Sequence, residues 1–188
     1  MNLNFNVDLE YTHDWVSSNQ QTFNKVFKGI TNKKNVRFLE VGSYEGRSAK
    51  YFLENILTGE NNSLICVDVW NCDRVELLFD KSLLSTGKSN IVRKIKKRSI
   101  QALAEFPDCH FDGIYIDGSH SPSCILTDAI MGLRILKPGC VMLFDDYLWP
   151  KDKYKYHPKT IIDFFIDLHF DDLSVIHSGY QLAIKKNT

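Results

Sequence analysis

The sequence predicts an α/β fold, a doubly wound, mostly parallel seven-stranded sheet with an antiparallel last strand and an N-terminal helical appendage. Three observations carry this. Short apolar runs alternate with helical stretches along most of the chain, as in βαβ units. Four of the five runs that read as parallel strands end in glycine or an acid. Near the C-terminus a Ser178-Gly179 turn signal separates two short apolar runs, which closes the sheet with a hairpin.

Taken in order, Asp14 reads as a helix N-cap, and Phe23, Val26, Phe27 and Ile30 recur at helical spacing. Val36 to Val41 is a buried strand ending at Gly42, followed by a helix from Ser48 to Leu57. Leu64 to Val69 is a second strand and Asn90 to Ile95 a third, with a helix from Ser99 to Phe106. Phe111 to Asp117 is the fourth strand. A helix from Pro122 to Leu136 stops at Lys137-Pro138-Gly139, and the fifth strand runs from Cys140 to Phe144 into Asp145-Asp146. Pro158 suits the first position of a helix reaching His169, and the hairpin pairs Leu173–Ile176 with Gln181–Lys185. One domain is expected over residues 1–188, with residues 1–33 as appendage and 34–188 as core.

Composition narrows the function classes. Hydrophobic residues make up 44% and charged residues 24%, ordinary for a globular protein. Lys plus Arg and Asp plus Glu both number 23, which argues against broad capture of nucleic acid or an anionic membrane. The basic block Arg93 to Arg98 reads as a solvated strand edge. No apolar stretch approaches the roughly 20 residues of a membrane span, and no secretory leader is visible. Five scattered cysteines (Cys66, Cys72, Cys109, Cys124, Cys140) lack a C-x-x-C spacing, so a reducing, cytoplasmic setting is expected.

Ligands of open α/β sheets bind beyond the carboxyl ends of the strands. Here those ends carry Glu40 and Gly42, Asp68, Asp117, and Asp145 with Asp146. Carboxylates bury poorly without partners, so their collection on one rim predicts a polar site. The first turn, Glu40 to Ser48, spaces Gly42 and Gly46 as Gly-x-x-x-Gly, with Tyr44 where a dinucleotide fingerprint needs its middle glycine. That disfavours a pyrophosphate and an NAD-dependent dehydrogenase. A cationic, phosphate-free nucleoside such as S-adenosylmethionine suits an acid-flanked turn, with Glu40 positioning its ammonium group. Ser43, Tyr44 and Ser48 belong to the same turn. Asp68, 26 positions after Gly42, is placed to accept from both ribose hydroxyls. Val69 and Trp70 are expected to flank the adenine, with Ser99 as a further contact.

Glu40-Val41-Gly42-Ser43-Tyr44-Glu45-Gly46-Arg47-Ser48, Cys66-Val67-Asp68, Tyr115-Ile116-Asp117-Gly118-Ser119-His120, Leu136-Lys137-Pro138-Gly139 and Phe144-Asp145-Asp146-Tyr147 occur in that order. Together they resemble the class I S-adenosylmethionine-dependent methyltransferases, in particular the group with the macrocin and mycinamicin sugar O-methyltransferases. The likeness spans about Asn35 to Lys185, and Asp14-Trp15-Val16 resembles the N-terminal segment of bacterial relatives of unknown substrate. It implies a Rossmann-like methyltransferase fold. It also implies Mg²⁺ or another divalent cation on Asp117, Asp145 and Asp146, hard oxygen ligands that leave positions for substrate. His120 then corresponds to the base, and imidazole titrates near neutrality; Asp117 and His120 would also border the cofactor.

The aromatic segment from Tyr147-Leu148-Trp149-Pro150 through Tyr154 to His157 is expected to roof the acceptor. The acceptor expected is a small molecule, preferably a sugar or glycan hydroxyl, and an exposed N-terminal helix leaves room for a homodimer. Two other readings stay open. One is a metal-independent methyltransferase acting on another oxygen or on nitrogen. The other is a non-enzymatic nucleotide-binding module that docks through the basic block or the aromatic loop.

Overall fold

The computed structural model describes residues 10–149 and 156–188. Helix α1 (Gln20–Val26) precedes strand β1 (Arg37–Val41), helix α2 (Arg47–Tyr51), which continues as a π turn over Phe52–Ile56, and strand β2 (Ser63–Asp68). Then come α3 (Asp73–Ser85), β3 (Val92–Lys96), α4 (Ser99–Ala104), β4 (Phe111–Ile116), α5 (Pro122–Ile135) and β5 (Leu136–Phe144). Helix α6 (Pro158–Leu168) and the hairpin β6 (Leu173–Ser178) and β7 (Leu182–Lys186) complete the chain.

The sheet has seven strands in the order β3-β2-β1-β4-β5-β7-β6, with β7 antiparallel to both neighbours. The central strands β1, β2, β4 and β5 are largely apolar because both sheet faces are covered there. Leu39, Val41, Ile65, Val67, Ile114, Ile116, Met142 and Phe144 point to one face, under α4, α5 and α6. Phe38, Leu64, Cys66, Tyr115 and Leu143 point to the other, under α1, α2 and α3. Strand order reverses between β1 and β4, so the crevice beside Gly42 and Asp117 opens at the switch point.

Four sequence expectations are corrected. Residues 70–90 received no helix, yet α3 occupies Asp73–Ser85; two adjacent parallel strands need such a crossover. Its buried stripe, Leu78, Phe79, Ser82 and Leu83, is narrow and set among charges. Helix α1 starts six residues after Asp14, with Asn19 at its N-cap, while Asp14 accepts from Ser17 N and pairs with Arg47. Lys137-Pro138-Gly139 does not precede the fifth strand but lies within it. Leu136 pairs with Phe111 and Val141 with Gly113, so a bulge absorbs the turn signal, with Gly139 at φ +76°. The helix after Gly46 turns from α to π at Phe52.

Strand β3 is a sheet edge, and its lysines are paired, Lys94 with Glu76 and Asp80 and Lys96 with Glu76; just past it, Lys97 pairs with Glu105. Charged lysines on an edge discourage strand addition. Among the described residues, no helix is long and apolar enough to cross a membrane.

On the α1–α3 face the centre of the core is aromatic. Phe52 is fully buried, with ring centroids of Phe23, Phe38 and Tyr115 at 5.0, 5.0 and 5.2 Å. Edge-to-face packing of this kind adds to area burial. Phe52→Ala is expected to lower stability by about 3–5 kcal/mol. Urea unfolding should show a lower midpoint at unchanged slope; a loss below about 1 kcal/mol would mean the cluster closes over the gap.

Candidate active site

The hydrogen-bond ladder continues one step past the strands, which levels their carboxyl ends. Gly42 N donates to Val67 O (2.8 Å), Asp117 N to Val41 O (2.8 Å) and Asp145 N to Ile116 O (3.0 Å). Gly42 adopts φ +86°, and a Cβ there would fall 1.9 Å from the Asp117 carbonyl oxygen. Only glycine allows the first turn to press against the end of β4.

Beyond this rim lies a cleft of about 1290 Å³, large enough for a nucleoside together with a second small molecule. Asp68 forms one corner. Its Oδ2 accepts from Tyr44 N (2.9 Å) and its Oδ1 from Trp70 N (3.0 Å). A carboxylate has about four acceptor sites, so two oxygens fixed this way can still receive hydroxyls. Tyr44 sits at φ +45°, strained for a non-glycine residue. Gly42, Tyr44, Asp68, Val69, Ser99, Asp117 and His120 all line the cleft.

Glu40, Ser43, Gly46, Ser48 and Trp70 do not line it. Trp70 is the clearest correction: it is 1% exposed, its ring lies 4.6 Å from that of Phe79, and its Nε1 donates to Tyr44 O (2.9 Å). It props the turn from below instead of flanking a base, because the indole N–H finds its partner in that turn. Gly46, at φ +78°, packs against Phe79. Glu40 is fully buried with Ser43 and Ser48 beneath the turn; Cys66 Sγ donates to its Oε2 (3.5 Å), and Oε1 has no partner. Burial pushes the Glu40 carboxyl up to about 7.

At the other end of the cleft Asp117, His120 and Asp146 bring one ligand atom each within 4.8 Å of one another. His120 Nε2 lies 2.6 Å from Asp146 Oδ2, and Tyr180 OH donates to Asp146 Oδ1 (3.0 Å). Burial, then the Asp145 and Asp146 carboxylates, hold Asp117 well above the usual carboxylate range. Negative charge crowded this way favours a cation, and carboxylate oxygens are fitting donors for a hard one such as Mg²⁺.

Asp145, the third residue of the expected ligand trio, also lines the cleft but has its own hydrogen-bond partners. Its Oδ1 accepts from Tyr115 OH (2.8 Å), Asn19 Nδ2 (3.1 Å) and Gln181 Nε2. It is 6% exposed, and burial followed by repulsion from Asp146 pushes it up to about 6. Tyr115 OH ties Asp145 to Asp117, whose Oδ2 it also approaches (3.3 Å).

A family model described as a methyltransferase domain matches residues 39–147. The chain belongs to that family. No curated protein is significantly similar in sequence. Among solved structures, the methyltransferase domain resembles a putative O-methyltransferase from Klebsiella pneumoniae, at 16% identity, 95% and 84% coverage of the two chains, and TM-score 0.72. It also resembles the O-methyltransferase from Bacillus cereus in complex with SAH, at 15% identity, 94% and 84% coverage, and TM-score 0.69. The MycE methyltransferase of the mycinamycin biosynthetic pathway, in complex with Mg and SAH, aligns at 15% identity, 93% and 51% coverage, and TM-score 0.65. At these identities the likeness is one of fold.

Several residues of this methyltransferase's cleft lie outside the set expected from sequence. Trp15, Ser18 and Asn19 line it from the appendage, and Tyr180 from the β6–β7 turn. Asp128 also lines it, and it carried a signal: an acid on the apolar face of α5. Of the predicted roof, Trp149 lies 4.4 Å from His120, ring to ring, while residues 150–155 lie outside the described residues. His157 is a helix cap, accepting from Lys159 N (3.2 Å).

A carboxyl whose pKa is higher folded than unfolded takes up a proton on folding. Its contribution is therefore greatest below about pH 4.5 and is lost as pH rises through about 7. For Glu40 this loss is on the order of 3 kcal/mol. Urea unfolding of wild type at pH 5 and pH 8 is expected to show lower stability at pH 8, and Glu40→Gln should remove a large part of that difference. An identical pH slope in the variant would show that Glu40 ionises freely.

Proposed function

We propose that the protein is an S-adenosylmethionine-dependent O-methyltransferase, assisted by a divalent cation, that methylates a hydroxyl of a small molecule of sugar or glycan type. One observation carries the reading. A single cleft joins a nucleoside corner at Asp68 to an oxygen-activating cluster at Asp117, His120 and Asp146. S-adenosylmethionine bound there supplies an electrophilic methyl group and leaves as S-adenosylhomocysteine. Asp68, Tyr44, Val69 and Ser99 are the residues that would hold its nucleoside.

Asp117 and Asp146 would hold a cation such as Mg²⁺, which lowers the pKa of a neighbouring hydroxyl. His120 takes the hydroxyl proton. With its Nε2–H donated to Asp146 Oδ2, the Nδ1 lone pair is the basic position, and the carboxylate stabilises the imidazolium that forms. The cleft walls hold the acceptor oxygen near the methyl group, the main requirement of this displacement. Trp149 and Trp15 supply aromatic faces suited to the apolar faces of a sugar ring.

The close His120–Asp146 pair also favours a second reading, proton transfer by these two residues with no metal. Methyl transfer to a panel of nucleotide sugars, oligosaccharides and phenols, assayed with Mg²⁺ and with EDTA, separates the two. We expect EDTA to abolish turnover on a sugar acceptor, and equal rates would remove the metal. His120→Ala is expected to cut turnover by about 10²–10⁴-fold while S-adenosylhomocysteine affinity, read by calorimetry, changes little. If wild type gives no saturable heat with S-adenosylmethionine, the proposal fails.

A further inference from the structure

The cleft contains a carboxylate that neither the cation cluster nor the ribose corner employs. Asp128 lies on the buried side of α5, in line with Ile125, Ala129 and Gly132. It is 1% exposed, yet it lines the cleft, and its Oδ1 has no hydrogen-bond partner. Buried acceptors in native proteins are nearly always satisfied, so an orphan beside a ligand-sized space points to a donor on the ligand. An apolar residue here would simply extend the apolar face of the helix.

The surroundings say which donor. Asp128 faces the mouth of the cleft across Gly118, where a Cβ would fall 3.6 Å from its Oδ2. The Ser99 hydroxyl, just past β3, acts on the same carboxyl and partly offsets the upward push of burial. Asp128 thus sits between the segment that follows β4, at Gly118, and Ser99 past β3, in a cleft whose wall also includes Val69. A nucleoside whose ribose meets Asp68 would direct its base here.

Resting on the S-adenosylmethionine reading above, we propose that Asp128 accepts a hydrogen bond from the exocyclic amino group of adenine and so sets the base specificity of the nucleoside site. An adenine presents a donor at that edge. Hypoxanthine presents a carbonyl oxygen in its place, which would set acceptor against acceptor.

The test is calorimetric titration of the full chain with S-adenosylhomocysteine and with S-inosylhomocysteine, for wild type, Asp128→Ala and Asp128→Asn. Wild type is expected to prefer the adenosyl compound by about tenfold or more, the scale of one unpaired buried polar group. Asp128→Ala should bring the two affinities together, chiefly by weakening the adenosyl compound. Asp128→Asn keeps the shape of the side chain and offers either a donor or an acceptor, so it should narrow the preference even if the alanine variant folds poorly. A wild-type preference that survives both substitutions overturns the assignment, as does equal binding of the two compounds by wild type. Absence of binding by either compound to wild type would instead remove the S-adenosylmethionine reading, and this assignment with it.

Discussion

The close seating of the first turn against the end of β4 governs the rest of the site. Gly42 lies so near the Asp117 carbonyl that nothing larger than hydrogen fits on its α-carbon. The same seating lets the backbone ladder run on from β2 to β1, from β1 to β4 and from β4 to β5. Parallel strands in register then end at one level, so the residues that follow them stand side by side. Asp68, Asp117, Asp145 and Asp146 share a rim for this reason, although up to 78 positions separate them in the chain.

Crowding of acids at one rim has a physical cost, which the structure meets differently at each position. Asp145 and Asp146 are neighbours in sequence, and their side chains part company as successive residues of extended chain do. Asp145 turns inward to a tyrosine, an asparagine and a glutamine that together satisfy one oxygen. Asp146 turns to the cleft and meets His120 and Tyr180. One acid is thus held by three donors, and the other meets an imidazole and a phenol. Glu40 is a further case, buried beneath the turn with one oxygen unpartnered and its pKa raised accordingly.

Much of this fold was legible because a sheet covered on both faces writes its strands as apolar runs, and because glycine and acids mark where each run stops. What escaped had identifiable causes. Helix α3 shows only a narrow stripe, Leu78, Phe79 and Leu83, among Asp73, Arg74, Glu76, Asp80 and Lys81. The Lys137-Pro138-Gly139 signal predicts a helix stop ahead of a strand at Cys140, whereas tertiary pairing of Leu136 with Phe111 extends the strand across it. Trp70 follows a strand whose end faces the cleft, but its fate depended on a partner, Tyr44 O, that only the folded turn provides. The braces of Asp145 come from Asn19 and Gln181, which are 126 and 36 positions away. No local pattern announces contacts of that kind.

The appendage is part of the site. Glu45, on the first turn, accepts from both the backbone N and the hydroxyl of Thr12, each at 2.9 Å. Arg47 reaches Asp14 and the His13 carbonyl, and Trp15 stands 5.7 Å from Tyr44, ring to ring. Single contacts of this type contribute about 1 kcal/mol each, so the segment is held by their number. Asn19 differs in kind: it is buried, and its amide spans from the Trp15 carbonyl to Asp145. Displacing the segment would leave the buried Asp145 carboxylate short of one donor while opening the wall above Tyr44. Asn19, itself part of the cleft wall, therefore ties this segment to Asp145.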